Sequence, residues 1–152
     1  MQYPAEIIAA ARATGRPRAG KGAPFPSATL VQWRLESNGG KSVSGKNNYF
    51  GMKATPQQID AGEATARWTK EFRDGKYVSV TQWFADYPTV QAGFEAHTRL
   101  LDTPHYLLCQ QAQTPEDYCR ALQKDGYATA PNYSAVLISM IESDNLKQYD
   151  VG

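Results

Sequence analysis

Apolar residues along this chain recur at helical spacing in five stretches and alternate in two. Ile7, Ile8 and Ala11 share one face of a helix over 4–13, where Pro4 suits the first turn. A second helix runs from Ser27, read as its N-cap, through Leu30, Val31, Trp33 and Leu35 to Glu36. Behind Pro88, the residues Val90, Phe94, His97 and Leu101 fall at i, i+4, i+7 and i+11, one stripe to be buried in a third helix. His97 on that stripe is read as a core histidine. Thr114-Pro115-Glu116-Asp117 is a helix start, with Pro in the first turn and acids near the positive dipole end, and Gly126 is its stop. Asn132 is read as the cap of a last helix with Val136, Leu137, Met140 and Ile141 on its apolar face. Alternation over 65–72 and 77–84 brackets Asp74-Gly75, a strong short-range hairpin signal. The prediction is a single α+β domain over 1–152, mainly helical, with a small β-lobe at about 54–86.

Composition narrows the class. Residues 15–26, rich in Gly, Pro and the bases Arg16, Arg18 and Lys21, are read as a solvated connector, with contact to an anionic surface as the alternative. A net charge of +1 excludes the strong basicity of a typical nucleic-acid binder. Aromatics at 11%, with nine Tyr and three Trp, suit either core area or stacking on ring-shaped ligand units. Two His and no Cys-x-x-Cys argue against a zinc site, and no metal or other cofactor is expected. Cys109 and Cys119 are read as buried free thiols in preference to a disulfide. No apolar run is long enough for stable membrane insertion. The first residues have no basic segment followed by an apolar core, so synthesis in the cytoplasm without a cleaved signal peptide is expected.

The candidate chemistry centres on Glu36. It ends an apolar helix, and a Gly/Ser/Asn-rich turn and the segment Asn47-Asn48-Tyr49-Phe50-Gly51-Met52-Lys53 follow it. Cleavage of a glycosidic bond needs a protonated acid beside the leaving oxygen. A Glu against apolar and aromatic groups has its pKa raised by desolvation, and Trp33, Leu35, Tyr49 and Phe50 are the neighbours expected to do this. A plain surface acid is the alternative, although the helix dipole disfavours a negative charge at a C-terminus. The stretch from Gly40 to Asn47 nearly matches a phosphate-binding loop. It fails at Asn47, which replaces the magnesium-binding hydroxyl, and it follows a helix where such a loop follows a strand.

LESNGGKS, NNYFGMK, TKEF and GYATAPNY, in this order, resemble the glucosaminidase family of peptidoglycan hydrolases, glycoside hydrolase family 73. The resemblance spans roughly residues 4–143. It implies a lysozyme-like fold: a helical lobe, a small β-hairpin lobe and a cleft between them. It also implies an endo-acting β-N-acetylglucosaminidase that cuts the β-1,4 bond after N-acetylglucosamine, with Glu36 as general acid. A muramidase or lytic transglycosylase on the same scaffold, and a non-catalytic wall-binding module, are the alternatives.

The family's second acid falls on Glu71. Alternation sets Arg67, Thr69 and Glu71 on one strand face and Trp68 and Phe72 on the other, so Glu71 faces the cleft if the Trp68 face packs inward. As a base on water it would give inversion; otherwise the substrate's acetamido group completes the reaction, or Glu71 is an exposed hairpin acid. Tyr127 matches a tyrosine that lines the cleft near the acid, against the alternative of a core tyrosine. Asn48, Tyr49, Phe50 and Tyr133 are the substrate-binding candidates, with Phe50 and Tyr133 leaning toward packing.

The sequence departs from the family pattern at three points, one of them a longer loop over 15–26. A tryptophan is missing after the acid, where Ser37-Asn38-Gly39-Gly40-Lys41-Ser42 stands, and Ala130 replaces an Asp. The Gly-Lys-Ser turn is read as the hinge between lobes. The implied partner is the glycan strand of bacterial peptidoglycan, reached in the periplasm or cell wall after release or secretion. That leaves a role for a delivery or secretion partner and for an immunity or inhibitor protein, and none for nucleic acid.

Overall fold

The computed structural model describes residues 2–151. Helix α1 (Ala5–Thr14) buries Ile7 and Ala11 of the expected face and also Ala10, while Ile8 of that face is half-buried. Helix α2 (Pro26–Glu36) forms the centre of the molecule: all eight of its residues 26–33 are buried. A helix that is apolar or small on every side is stable only where other elements surround it. Here α1, α6 (Pro115–Lys124), α7 (Tyr133–Ser143) and a final turn (Leu146–Tyr149) do so. Helix α4 (Val90–Leu101) packs on α1 and buries Phe94, His97 and Leu101, with Val90 half-buried at the start of the stripe. The short helices α3 (Pro56–Asp60) and α5 (Leu107–Gln111), absent from the sequence reading, lie beside the hairpin and beside α6.

The start of α2 corrects the expected cap. Phe25 holds the N-cap position, Pro26 opens the helix, and Ser27 lies inside it. The Asp150 carboxylate takes the capping role from the far end of the chain: the Ser27 N–H donates to it at 2.8 Å and the Ser27 hydroxyl at 2.6 Å. A carboxylate there satisfies an orphan N–H and meets the positive dipole end. Asn132 likewise makes no side-chain cap; the Gln123 side-chain oxygen accepts from the Ser134 N–H instead, at 2.8 Å. Thr114 caps α6 as expected, accepting from the Asp117 N–H. After α6, Gly126 adopts φ 83°, and the Tyr127 N–H reaches back to the Leu122 carbonyl at 2.9 Å. This closure aims Tyr127 into the molecule.

The β-lobe is one antiparallel pair, β1 (Ala64–Arg73) and β2 (Lys76–Ala85), turned at Asp74 and Gly75 with φ of 51° and 81°. Positive φ at both turn residues matches the right-handed twist of the strands. The hairpin is rooted at its base. Asp86 accepts from the Thr65 hydroxyl and the Lys46 N–H, and the Arg67 guanidinium donates to the Ser44 carbonyl. The connector over 15–26 is no anion-contact loop at Arg16, whose guanidinium turns inward over Phe25 and donates to the carbonyls of Ala23 and Ala112. Arg18 and Lys21 are exposed. Cys109 and Cys119 are buried free thiols, each pushed up to about 12 by burial.

Candidate active site

Glu36 is the last residue of α2 and, unlike the rest of the helix face it shares with Gln32, is open to solvent on one side. On the other side the Tyr133 hydroxyl donates to its Oε1 at 3.1 Å. That hydroxyl accepts in turn from Gln32 Nε2, also at 3.1 Å. Gln32 lies one helical turn before Glu36, so the acid and its outer support share one helix face. Tyr133 is stacked on Tyr127, with centroids 6.0 Å apart and planes at 17°. Tyr127 meets Tyr106 and the edge of His97. The acid therefore stands against a wall of tyrosine rings contributed by the end of α6 and the start of α7.

This environment shifts both groups. Desolvation holds the Glu36 carboxyl above the ordinary glutamate range, partly offset by the bond from Tyr133, which stabilises the ionised form. Tyr127 is raised by burial and then by the negative charge of Glu36. The expected walls of the acid are corrected here. Trp33 points into the core between Tyr3 and Tyr49, and Leu35 is exposed. Tyr133 and Tyr127 take over the role given to Trp33, Leu35, Tyr49 and Phe50. A hollow of about 450 Å³ flanks the same helix end, lined by Arg34, Leu35, Asn38, Gly39, Lys41 and Met140. The larger hollow of about 500 Å³ around Tyr3, Ile8 and Tyr149 touches none of the predicted site residues.

Replacing Tyr133 with Phe tests this wall. Without the hydroxyl, the pKa of Glu36 rises further, so the alkaline limb of the pH–rate profile is expected to move to higher pH. The plateau rate is expected to fall about fivefold, the equivalent of one ordinary hydrogen bond of about 1 kcal/mol. An unmoved limb in the pH profile would remove Tyr133 as the group that sets the acid.

Glu71 lies on β1, half-buried, with its carboxylate held by Arg73 at 2.6 Å and by the Gln82 amide at 2.8 Å. Hydrogen bonds from Arg73 and then Gln82 lower its pKa, so it is ionised at neutral pH, as a base must be. The premise of its placement is reversed: Trp68 and Phe72 do not pack inward but stand exposed. The Glu71 face is the one tied by Arg67 and Thr65 to Ser44 and Asp86. No hydrogen bond joins Glu71 to Glu36 among the described residues.

Three of the substrate-binding candidates pack against the protein itself, Asn48 and Phe50 buried and Tyr49 half-buried. Asn48 is 1% exposed, and both its amide N–H groups are spent: it donates to the Met52 and Ala85 carbonyls and accepts from the Met52 N–H. It braces the turn against β2, is buried, and has no donor left for a sugar. Phe50 is stacked on His97 at 3.9 Å and lies edge-on to Phe94. Tyr49 packs between Trp33 and Phe94. Tyr133 is 4% exposed and its hydroxyl is engaged with Glu36. His97 is fully buried with neither ring nitrogen bonded, and burial lowers its pKa to about 3, so it stays neutral. The supposed hinge is a pinned turn: the Gly40 N–H donates to the Ser37 hydroxyl, and the N–H groups of Gly39 and Ser42 bond back to Arg34 and Ser37. Where a phosphate loop would present free amides, the Lys46 N–H is taken by Asp86.

Gln32 and Gln82 were missed by the sequence reading. A polar residue inside the otherwise buried run LVQW was the available signal for Gln32. For Gln82 it was the hairpin register, which sets it beside Arg67 on the Glu71 face.

A helix-borne, desolvated acid, a helical lobe built around that helix and a rooted β-hairpin together define a lysozyme-like scaffold. Comparison with known proteins agrees. The family described as mannosyl-glycoprotein endo-β-N-acetylglucosaminidase, Glucosaminidase, matches residues 19–146, and the chain belongs to that family. The catalytic domain of the autolysin Auto from Listeria monocytogenes is similar in structure, with a TM-score of 0.80 and 30% identity, over 99% of this chain and 90% of that one. A probable N-acetylmuramidase of Lactococcus lactis subsp. cremoris is 32% identical over 95% of this chain and 34% of its own length. The exo-glucosaminidase LytG of Bacillus subtilis is 29% identical over 83% of this chain and 46% of its own. The chain thus spans about a third to a half of the length of these two curated relatives.

Proposed function

We propose that this chain is the catalytic portion of a peptidoglycan hydrolase that cuts the β-1,4 bond after N-acetylglucosamine, with Glu36 as general acid. The observation that carries this reading is the setting of Glu36: desolvation by the tyrosine wall raises its pKa while one side stays open to solvent. A carboxyl whose pKa is raised holds its proton to higher pH than an ordinary glutamate and can give it to the leaving glycosidic oxygen. Glu71, kept ionised by Arg73 and Gln82, takes the proton of the attacking water. Tyr127, whose hydroxyl makes no hydrogen bond among the described residues, offers it to the reacting sugar. A wall substrate puts the site of action outside the cytoplasmic membrane. The reading therefore includes a delivery or secretion step and an immunity or inhibitor protein for the producing cell.

The experiment is digestion of purified peptidoglycan with mass spectrometry of the new ends. Reducing-end N-acetylglucosamine is expected. Reducing N-acetylmuramic acid, the product that the name of the Lactococcus relative points to, or an anhydro end, overturns the bond assignment. Glu71→Gln separates the two routes for the second step. A loss of roughly 10²-fold or more fits a base acting on water. Retention within about twofold assigns that step to the acetamido group of the substrate.

A further inference from the structure

The hairpin that carries Glu71 has a second face. By the strand register, Trp68, Lys70 and Phe72 of β1 lie on it beside Tyr77, Thr81 and Trp83 of β2. Trp68 is 78% exposed, Tyr77 73%, Phe72 64% and Trp83 41%. Among the described residues, every exposed Phe, Trp or Tyr lies on this one face. The helical lobe keeps its own rings buried or half-buried. Phe72 and Tyr77 meet edge to face at 5.2 Å across the strands, which helps brace the hairpin. That contact gives no reason for Trp68, the most exposed of the four, which touches no other ring. Grouped exposed rings on a small protein mark a surface built for a ligand.

The chemistry of the face selects the ligand. Flat rings present the negative face of their π-system, which suits the polarised C–H face of a pyranose. The Thr81 and Ser79 hydroxyls lie between the rings in the register and suit sugar hydroxyl and acetamido groups. Lys70 is the one charge among these positions, and no acid shares the face. A glycan that carries carboxylate-bearing peptides complements that charge. Trp68 and Phe72 are four residues apart on one strand, a span of about 13 Å, which is the length scale of a disaccharide. The opposite face of the same two strands carries Glu71, so a polymer held here stays beside the proposed reaction site.

We propose that the outer aromatic face of the hairpin is a carbohydrate-binding surface, separate from the Glu36 site, that holds N-acetylhexosamine strands of the wall by ring stacking. It rests on the reading of the chain as a wall hydrolase. The test is cosedimentation of the Glu36→Gln protein with insoluble sacculi, with and without Trp68→Thr, Phe72→Thr and Tyr77→Thr. Threonine keeps the β-preference of each position while removing the ring. A circular-dichroism melt and the single Trp68→Thr variant guard against loss of the hairpin. The triple variant is expected to bind about tenfold more weakly or worse, and Trp68→Thr to account for a large part of that loss. Equal binding by folded variants overturns the proposal. So does ring-dependent binding to anionic phospholipid vesicles in place of sacculi, or a dimer that the threonine variants dissolve. Failure of the wild-type protein to digest the same sacculi, with ring-dependent binding intact, overturns the hydrolase reading and leaves the binding surface standing.

Discussion

Glu36→Gln is expected to lower the rate of peptidoglycan digestion roughly 10²- to 10⁴-fold, the range by which a positioned general acid accelerates proton transfer. The fold is expected to survive. Gln keeps the shape of the side chain and still offers an oxygen to the Tyr133 hydroxyl, which now bonds Oε1 at 3.1 Å. The linkage also predicts the sign of the stability change. The fold raises the pKa of Glu36, so the native state binds its proton more tightly than the unfolded chain does. Stability from this group is present below the unfolded pKa and is lost as pH rises through the folded pKa. Gln has no such loss, so the variant is expected to match the wild type in acid and to equal or exceed it at neutral pH and above. Turbidity clearance and thermal melts across pH measure both effects. Equal clearance by the two proteins would sink Glu36 as the acid. In the wild type, the rate is expected to fall on the alkaline side as Glu36 loses its proton, above the ordinary glutamate range. On the acid side it falls as Glu71 gains one, below that range.

The second large effect falls on stability. Trp33→Ala is expected to cost about 3–5 kcal/mol, as for other buried Trp or Phe truncations. Trp33 is 2% exposed in the last turn of α2, with Tyr3 at 5.7 Å and Tyr49 at 6.2 Å. Gly40 lies directly on its ring, so the cavity opens beneath the turn that follows Glu36. A domain of this size converts that cost into a drop in melting temperature on the order of 10 °C. Activity is expected to fall with it, because the turn that anchors the end of α2 loses its floor. Trp33→Phe fills most of the space and removes an indole N–H that has no partner, so its effect is expected to be much smaller. Urea or thermal denaturation of the two variants decides this. A shift of under 2 °C for Trp33→Ala would show that the core closes over the gap.

The elements that the sequence made legible are those whose signals are local. The stripe of Phe94, His97 and Leu101, the Thr114 cap and the Asp74-Gly75 turn each depend on residues a few positions apart. The position of Glu36 at a helix end was legible for the same reason. The helix start at Ser27 was misplaced, and Asn132 holds its N-cap position without a side-chain cap bond, because the capping partners lie elsewhere. Asp150 caps α2 from 123 positions away, and Gln123 caps α7 from the previous helix. Asn48 read as a sugar contact because its motif does not reveal that Met52 and Ala85 consume its amide.

By itself, then, the sequence determined the helical and strand periods, the hairpin turn and the family to which the chain belongs. Only the tertiary structure decided what surrounds the acid. Tyr133, 97 positions from Glu36, supplies its hydrogen bond, and Tyr127 supplies the ring behind that. It also decided that the Trp68 face turns outward while the Glu71 face turns toward Ser44 and Asp86. The physical reason is range. Backbone hydrogen bonding and side-chain periodicity act over one or two turns of chain and leave their mark on adjacent residues. Desolvation, and with it the pKa of Glu36, depends on which distant side chains the packed core brings against the carboxylate.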